Sequence, residues 1–280
     1  GAAPPPRPHA GDFACLSGDF NPLHVDAVAA RRLQFGGTVC HGVHLVLQAL
    51  DLAQALDPSL VPERLESIGA VFGSSVRTGT EVAVALVSDQ AAQRVRLVAS
   101  ADGRALFTAK LQLRAPIAAL AAPVEAAPSL PSEPIGPQFE ELAGRSDRPT
   151  FEIPIQLNSD LARALFPALS STPTGLSLIA DLAATTNIIG MRCPGQHSIY
   201  SEFKLRRHDT IRDQLPGAMS WAVQRTDARF RSVRIGVDGA AYQGTLDAFF
   251  RAPPVDQPKL ADLLPAVPRA HFAGQRALVV

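Results

Sequence analysis

Asp19 and His24 stand five residues apart in the stretch CLSGDFNPLHVDAVAARRLQFGGTVCHGVHL (15–45). A carboxylate and an imidazole at that spacing suit general acid and base work on a water or a hydroxyl, provided both face one small volume. Gly18-Asp19 and Asn21-Pro22 are turn chemistry. Pro22 can open a helix with Asn21 as its cap, because the first helical position needs no N–H. The pattern predicts one short helix over PLHVDAVAARRLQ (22–34), with Asp19 on the turn before it and His24 on its first turn. Gly42 falls at the start of a second, apolar helical run. Backbone N–H groups there have no intrahelical partner and can hold an oxygen that gains negative charge.

Neighbouring residues read more plainly. Asp26 is a first-turn charge favoured by the helix dipole. His41, just before Gly42, suits packing or hydrogen bonding, and His44 reads as a core or rim histidine on an apolar helix. Cys40 reads as a small buried residue, since no base stands beside it. Ser17 lacks the G-x-S-x-G surroundings of an activated nucleophile. His197 and Tyr200 border a strand and read as packing residues. Arg31, Arg32, Arg206 and Arg207 have the chemistry to meet a phosphate, although each reads first as a solvated surface arginine.

Two long apolar helices must position these groups. VCHGVHLVLQALDLAQAL (39–56) is apolar nearly all round, which marks a buried helix. Four candidate strands follow it: 65–76, 81–88, 94–100 and 105–114, with DGR (102–104) as a hairpin turn. The order recurs downstream. GLSLIADLAATTNIIG (175–190) is a second apolar helix with caps in STPTG and Gly190 as its stop. Strand-like runs follow at 198–206, 218–227, 229–239 and 241–251, with VDG (237–239) as the matching turn. A helix with no polar face must be wrapped by its sheet. The expected class is therefore α+β, two antiparallel sheets each wrapped round a central helix. The boundaries read 10–115 for the first folded unit, 116–149 for a Pro/Ala-rich linker, 150–252 for the second unit and 253–280 for a C-terminal extension.

The totals exclude several classes. Of 280 residues, 46% are hydrophobic and 19% charged, as in a soluble globular protein. Lys+Arg and Asp+Glu are equal at 26, so nothing argues for nucleic acid. Three cysteines without paired spacing argue against a disulfide framework and a CxxC zinc site, and fit a reducing cytoplasmic location. No uninterrupted apolar run is long enough to span a bilayer, and the first residues show no signal-peptide pattern. The chain opens on Gly1 rather than Met, which leaves room for sequence upstream.

SGDFNPLHVD (17–26) closely resembles the hydratase-2 motif of the MaoC-like (R)-specific enoyl-CoA hydratases, and FGGTVCHG (35–42) resembles the family's downstream segment ending in His-Gly. Ala27 departs from the family, which often has Pro after the Asp at this place. PGQHSIYSEFKLR (194–206) and DARFRSVRIGVDG (227–239) are similar to segments of MaoC-like domains, but the second unit has no G-D-x-N-P-x-H. The resemblance implies a double hot-dog fold packed as a pseudo-dimer, with one motif-bearing and one motif-free half. It implies that Asp19 and His24 are catalytic, that Asn21 supports them and that Gly42 supplies an oxyanion N–H. Ser17, Asn21, His41 and Val43 are the expected substrate-binding positions.

The implied reaction is reversible hydration of an enoyl thioester carried by coenzyme A or an acyl carrier protein, in fatty acid metabolism, with no metal or redox cofactor. A homodimer stays open as a partner. So does a fused short-chain dehydrogenase, because AGQRALVV (273–280) resembles that family's first strand; an ordinary C-terminal strand is the plainer reading. A thioesterase on the same fold and a non-catalytic thioester-binding module are the alternatives to the hydratase.

Overall fold

The computed structural model describes residues 10–117, 120–143, 147–208, 217–253, 258–265, 267, 270–271 and 273–276. The first half runs α1 (Ala10–Ser17), α2 (Pro22–Val25), α3 (Ala27–Ala30), α4 (Gly42–Leu56), β1 (Leu65–Phe72), β2 (Ala83–Asp89), β3 (Arg94–Ala101) and β4 (Arg104–Leu113). A connection carrying β5 (Val124–Glu125) and α5 (Phe139–Ala143) leads to β6 (Phe151–Pro154), β7 (Gln156–Leu157) and α6 (Ser159–Leu165). Then come α7 (Pro173–Asn187), a π turn (Ile188–Arg192), β8 (Ser198–Arg207), β9 (Ala218–Asp227), β10 (Ser232–Asp238), β11 (Tyr242–Phe250) and α8 (Leu260–Leu263).

Nine strands form one antiparallel sheet in the order β2-β3-β4-β1-β8-β11-β10-β9-β6. Within each half the strand that follows the long helix pairs with the last of its four, so the two halves repeat one topology. They join edge to edge where β1 pairs β8, from Ser67 opposite Arg206 to Val71 opposite Glu202. That pairing hides two sheet edges at once. The result is the double hot-dog, with a helix sheathed by each half-sheet.

Alternation drives the wrapping. In β3, Val95, Leu97 and Ala99 are buried while Arg94 and Arg96 face out. The β3–β4 hairpin turns on Asp102 and Gly103, both with positive φ (50° and 73°), as the two-residue turn requires. In the second half the β10–β11 turn is held differently. The Asp181 carboxylate, from the middle of α7, accepts the N–H groups of Ala240, Ala241 and Tyr242 at 2.9–3.1 Å.

Three expectations need correction. The helix expected over 22–34 is broken in two, because Asp26 leaves helical geometry (φ −112°, ψ 102°) and its carboxylate caps α3 by accepting from Val28 and Ala29. A short acidic side chain competes well with helix continuation. The two long helices are not equally sheathed. In α7 every residue from Thr174 to Thr186 is buried, whereas α4 keeps an exposed stripe with Leu52 at 44% and Leu56 at 73%. Arg207 is not a solvated surface residue: it is 2% exposed and donates to the Glu63 carbonyl at 2.7 Å, across the seam. The Pro/Ala-rich connection is laid against the fold. Ser129 N–H donates to the Cys15 carbonyl at 2.7 Å and Ile135 N–H to that of Met191 at 2.8 Å.

Among the described residues no helix is long and apolar enough to cross a membrane. The leader at 4–8 lies outside the described residues, as do the last four residues of the C-terminal run; Ala273 to Arg276 form no strand.

Candidate active site

Asp19 sits on the turn that ends α1. Gly18 takes φ +69°, and the Ser17 hydroxyl donates to the Phe13 carbonyl at 2.8 Å while accepting the Asp19 N–H at 3.2 Å. This turn drives the Asp19 side chain inward until it is 1% exposed. Its Oδ2 accepts the hydroxyl of Thr186 at 2.7 Å, and its Oδ1 accepts the N–H of Asn21 at 3.2 Å. The carboxyl group lies flat against Gly190, where a Cβ would stand 2.3 Å from Oδ1. Gly190, read as a helix stop, is therefore the floor under the carboxylate, and the helical path runs past it through the π turn. Burial pushes the Asp19 carboxyl up from its ordinary range; His24, the Thr186 hydroxyl and the Asn21 N–H oppose that rise.

Asn21 caps α2 by accepting the Leu23 N–H at 3.1 Å. Its amide reaches across the molecule and donates to the carbonyls of Gly190 (3.1 Å), Gly195 (3.3 Å) and Gln196 (3.3 Å). One motif residue thus ties the turn to the other half. His24 donates from Nδ1 to the Val39 carbonyl at 2.8 Å, since a carbonyl only accepts, and this leaves Nε2 uncommitted to Val39. Its ring stacks on His41 with centroids 3.8 Å apart and planes at 25°.

His41 is fully buried and donates from Nε2 to the main-chain oxygen of Asp19 at 3.0 Å. Burial, and then the neighbouring His24, hold its imidazole well below the usual histidine range, so it is neutral. Its 3.8 Å approach to Asp19 Oδ2 is accordingly a packing contact, not an ion pair. Phe13 packs edge-on to His41 and stacks on His44, which burial pushes down to about 4.

One ligand atom each from Asp19, His24 and His41 lies within 4.8 Å of the others. Nδ1 of His24 and Nε2 of His41 already hold carbonyls.

Gly42 is the first residue of α4, and no side chain caps that helix end. A Cβ there would meet the Phe72 ring at 2.7 Å, so the position needs glycine for the ring to close over it. Asp19, His24 and Gly42 all line one crevice of about 670 Å³. Leu45, Phe72 and Phe107 form its wall in the first half; Ile189, Tyr200 and Phe249 form it in the second. Another cavity of about 440 Å³, lined by Ile135, Leu142, Ile153 and Trp221, lies behind the π turn and touches no motif residue.

The sequence-expected residues divide cleanly. Asp19, His24 and Gly42 are brought together. Ser17, Asn21, His41 and Val43 do not line the crevice: the first three support the Asp19 turn or the His24 ring, and Val43 is in the core. Arg31 and Arg32 are exposed and also lie off the crevice. Thr186, Gly190 and Tyr200, all from the half without the motif, line it and were not singled out for it. No local pattern marks them, because Thr186 is 167 positions from the aspartate it touches. Cys193 is buried and its thiol is pushed up to about 12, so it is no nucleophile.

The matching family model is described as "MaoC like domain" and covers residues 8–104. Among solved structures, a "MaoC-like dehydratase" is 14% identical, with 89% of this chain and 97% of that one covered and a TM-score of 0.54, which shows the shared fold. The dehydratase domain of PpsC from Mycobacterium tuberculosis, in complex with C12:1-CoA, is 13% identical over 77% of this chain and 86% of that one, with a TM-score of 0.45. A putative thioesterase II from Thermobifida fusca YX is 15% identical over 77% and 88%, with a TM-score of 0.43. No curated protein matches the chain by sequence. The matched residues include Asp19, His24 and Gly42, so the half that carries them is similar to a MaoC-like domain.

Proposed function

We propose that this chain is an (R)-specific hydro-lyase that adds water reversibly to the 2,3-double bond of enoyl thioesters carried by coenzyme A or an acyl carrier. The observation that carries this reading is the meeting of Asp19, His24 and the uncapped end of α4 at Gly42 on one largely apolar crevice. Asp19 takes a proton from water and the hydroxyl oxygen bonds to the β-carbon. Electrons shift onto the thioester oxygen, which the Gly42 N–H stabilises. His24 then delivers its proton to the α-carbon. Asp19 ends protonated and His24 neutral, so exchange with solvent resets the pair.

A preorganised oxyanion donor contributes roughly 3–4 kcal/mol to such a step. A placed acid or base contributes about 10²–10⁴ in rate. The raised proton affinity that burial gives Asp19 makes it a stronger base than a solvated carboxylate. Every group in this scheme belongs to the chain or the substrate, so no metal or redox cofactor enters it. The test is a spectrophotometric assay with crotonyl-, octenoyl- and longer enoyl-CoA, followed by chiral analysis. Loss of enoyl absorbance with an (R)-3-hydroxyacyl product is expected. Release of free thiol without loss of the double bond would instead support a thioesterase, and saturable binding without turnover a thioester-binding module.

A further inference from the structure

We infer that Thr186, on the central helix of the motif-free half, is a positioning residue that orients the Asp19 carboxylate and tunes its basicity. The inference deepens the proposed hydration and rests on it. The Thr186 hydroxyl meets Oδ2 at 2.7 Å, and both residues are at least nine-tenths buried. A hydrogen bond to a buried carboxylate is strong, because water is not there to compete. The Asn21 N–H on Oδ1 is longer, at 3.2 Å. Oδ1 therefore keeps the more basic lone pair and is the atom assigned to the water's proton.

Gly190 completes the arrangement by letting the carboxyl lie against bare backbone, so the group cannot swing away from Thr186. The titratable groups facing Asp19 are His24 from α2 and His41 from the cap of α4; Thr186, Gly190 and Asn21 are neutral. Neither imidazole anchors a carboxylate oxygen. His24 is committed to Val39 and His41 to the Asp19 main chain. Among the described residues, Thr186 makes the one side-chain hydrogen bond to that carboxylate.

Thr186→Val keeps the shape and removes the donor, and Thr186→Ser keeps the donor. In Thr186→Val the acidic limb of the kcat/KM profile should move up by about one pH unit or more, as expected when a hydrogen bond to a buried charge is lost. The rate should recover toward the parent's at high pH, and Thr186→Ser should restore the parent midpoint. A parallel titration of the Asp19 carboxyl by carbon-13 NMR, assigned with Asp19→Asn, should show the same order. An unmoved midpoint with a rate lowered equally at every pH would overturn the inference, as would a Ser variant no better than Val. If Val unfolds, Thr186→Ala is read in its place. A parent that hydrates no enoyl thioester sinks the proposed reaction, while the NMR titration still decides Thr186.

Discussion

The two halves share a topology but treat their central helices in opposite ways. At the start of α4, His41 offers no side-chain cap, and Gly42 lines the crevice. At the start of α7, the Thr172 hydroxyl accepts the Gly175 N–H at 3.1 Å and Pro173 has no N–H to give. Gly175 is jammed there against the Leu169 carbonyl, where a Cβ would stand 1.7 Å away. One helix start is left uncapped and the other is sealed. The second half contributes its helix end instead: Thr186, Asn187 and Gly190 grip the Asp19 turn. At the opposite end of the helix pair, the Asp51 carboxylate of α4 accepts the Leu169 N–H at 2.8 Å. The frame thus occurs twice, and among the described residues the junction at Asp19 is the one to which the proposed reaction assigns its acid and base.

The largest test of this asymmetry is to remove the reacting groups. Asp19→Asn and His24→Ala should each lower kcat by about 10²–10⁴, with circular dichroism and melting close to the parent's. A variant of either that hydrates crotonyl-CoA at the parent rate breaks the comparison at its root.

A second test pits the two helix starts against each other. Gly42→Ala drives a methyl into Phe72 and should lower kcat by about 10² through the displaced oxyanion donor. Gly175→Ala drives one into the Leu169 carbonyl and should cost about 1–3 kcal/mol of stability. Activity per folded molecule should stay unchanged in Gly175→Ala. Kinetics and urea melts on both variants separate the two outcomes.

The smallest effect concerns pH. Asp181 is the ninth residue of α7, where α4 has Leu50. Burial pushes its carboxyl up to about 7, against the pull of three N–H donors. A folded value above the unfolded one means that the native state holds the extra proton. The resulting stability is full below about pH 4 and is lost as pH rises through about 7. Asp181→Asn should flatten the dependence of Tm on pH across that window. An unchanged slope would show that the second half carries no such titration.

Much of the frame was legible in residue order. The strands β3, β4 and β9 fall within a residue or two of the alternating runs, since alternation records which side meets the core. The Asp102-Gly103 turn was legible because few residues tolerate positive φ. The helix broken at Asp26 was not, because cap and continuation compete within a fraction of the stability of one turn. The exposed stripe of α4 was hidden as well: Leu52 and Leu56 are apolar, and composition does not say which side a neighbour covers.

The sequence by itself determined the local chemistry. A Gly-Asp turn, an Asn-Pro cap and a His-Gly helix start follow from the conformational limits of those residues, and each acts within a few positions of itself. Only the tertiary structure decided what surrounds the carboxylate. Thr186 and Gly190 reach Asp19 because two sheets join at β1 and β8 and bring the start of one helix beside the end of the other. Contacts of that range depend on packing summed over the whole core, and no short stretch of sequence carries their signature.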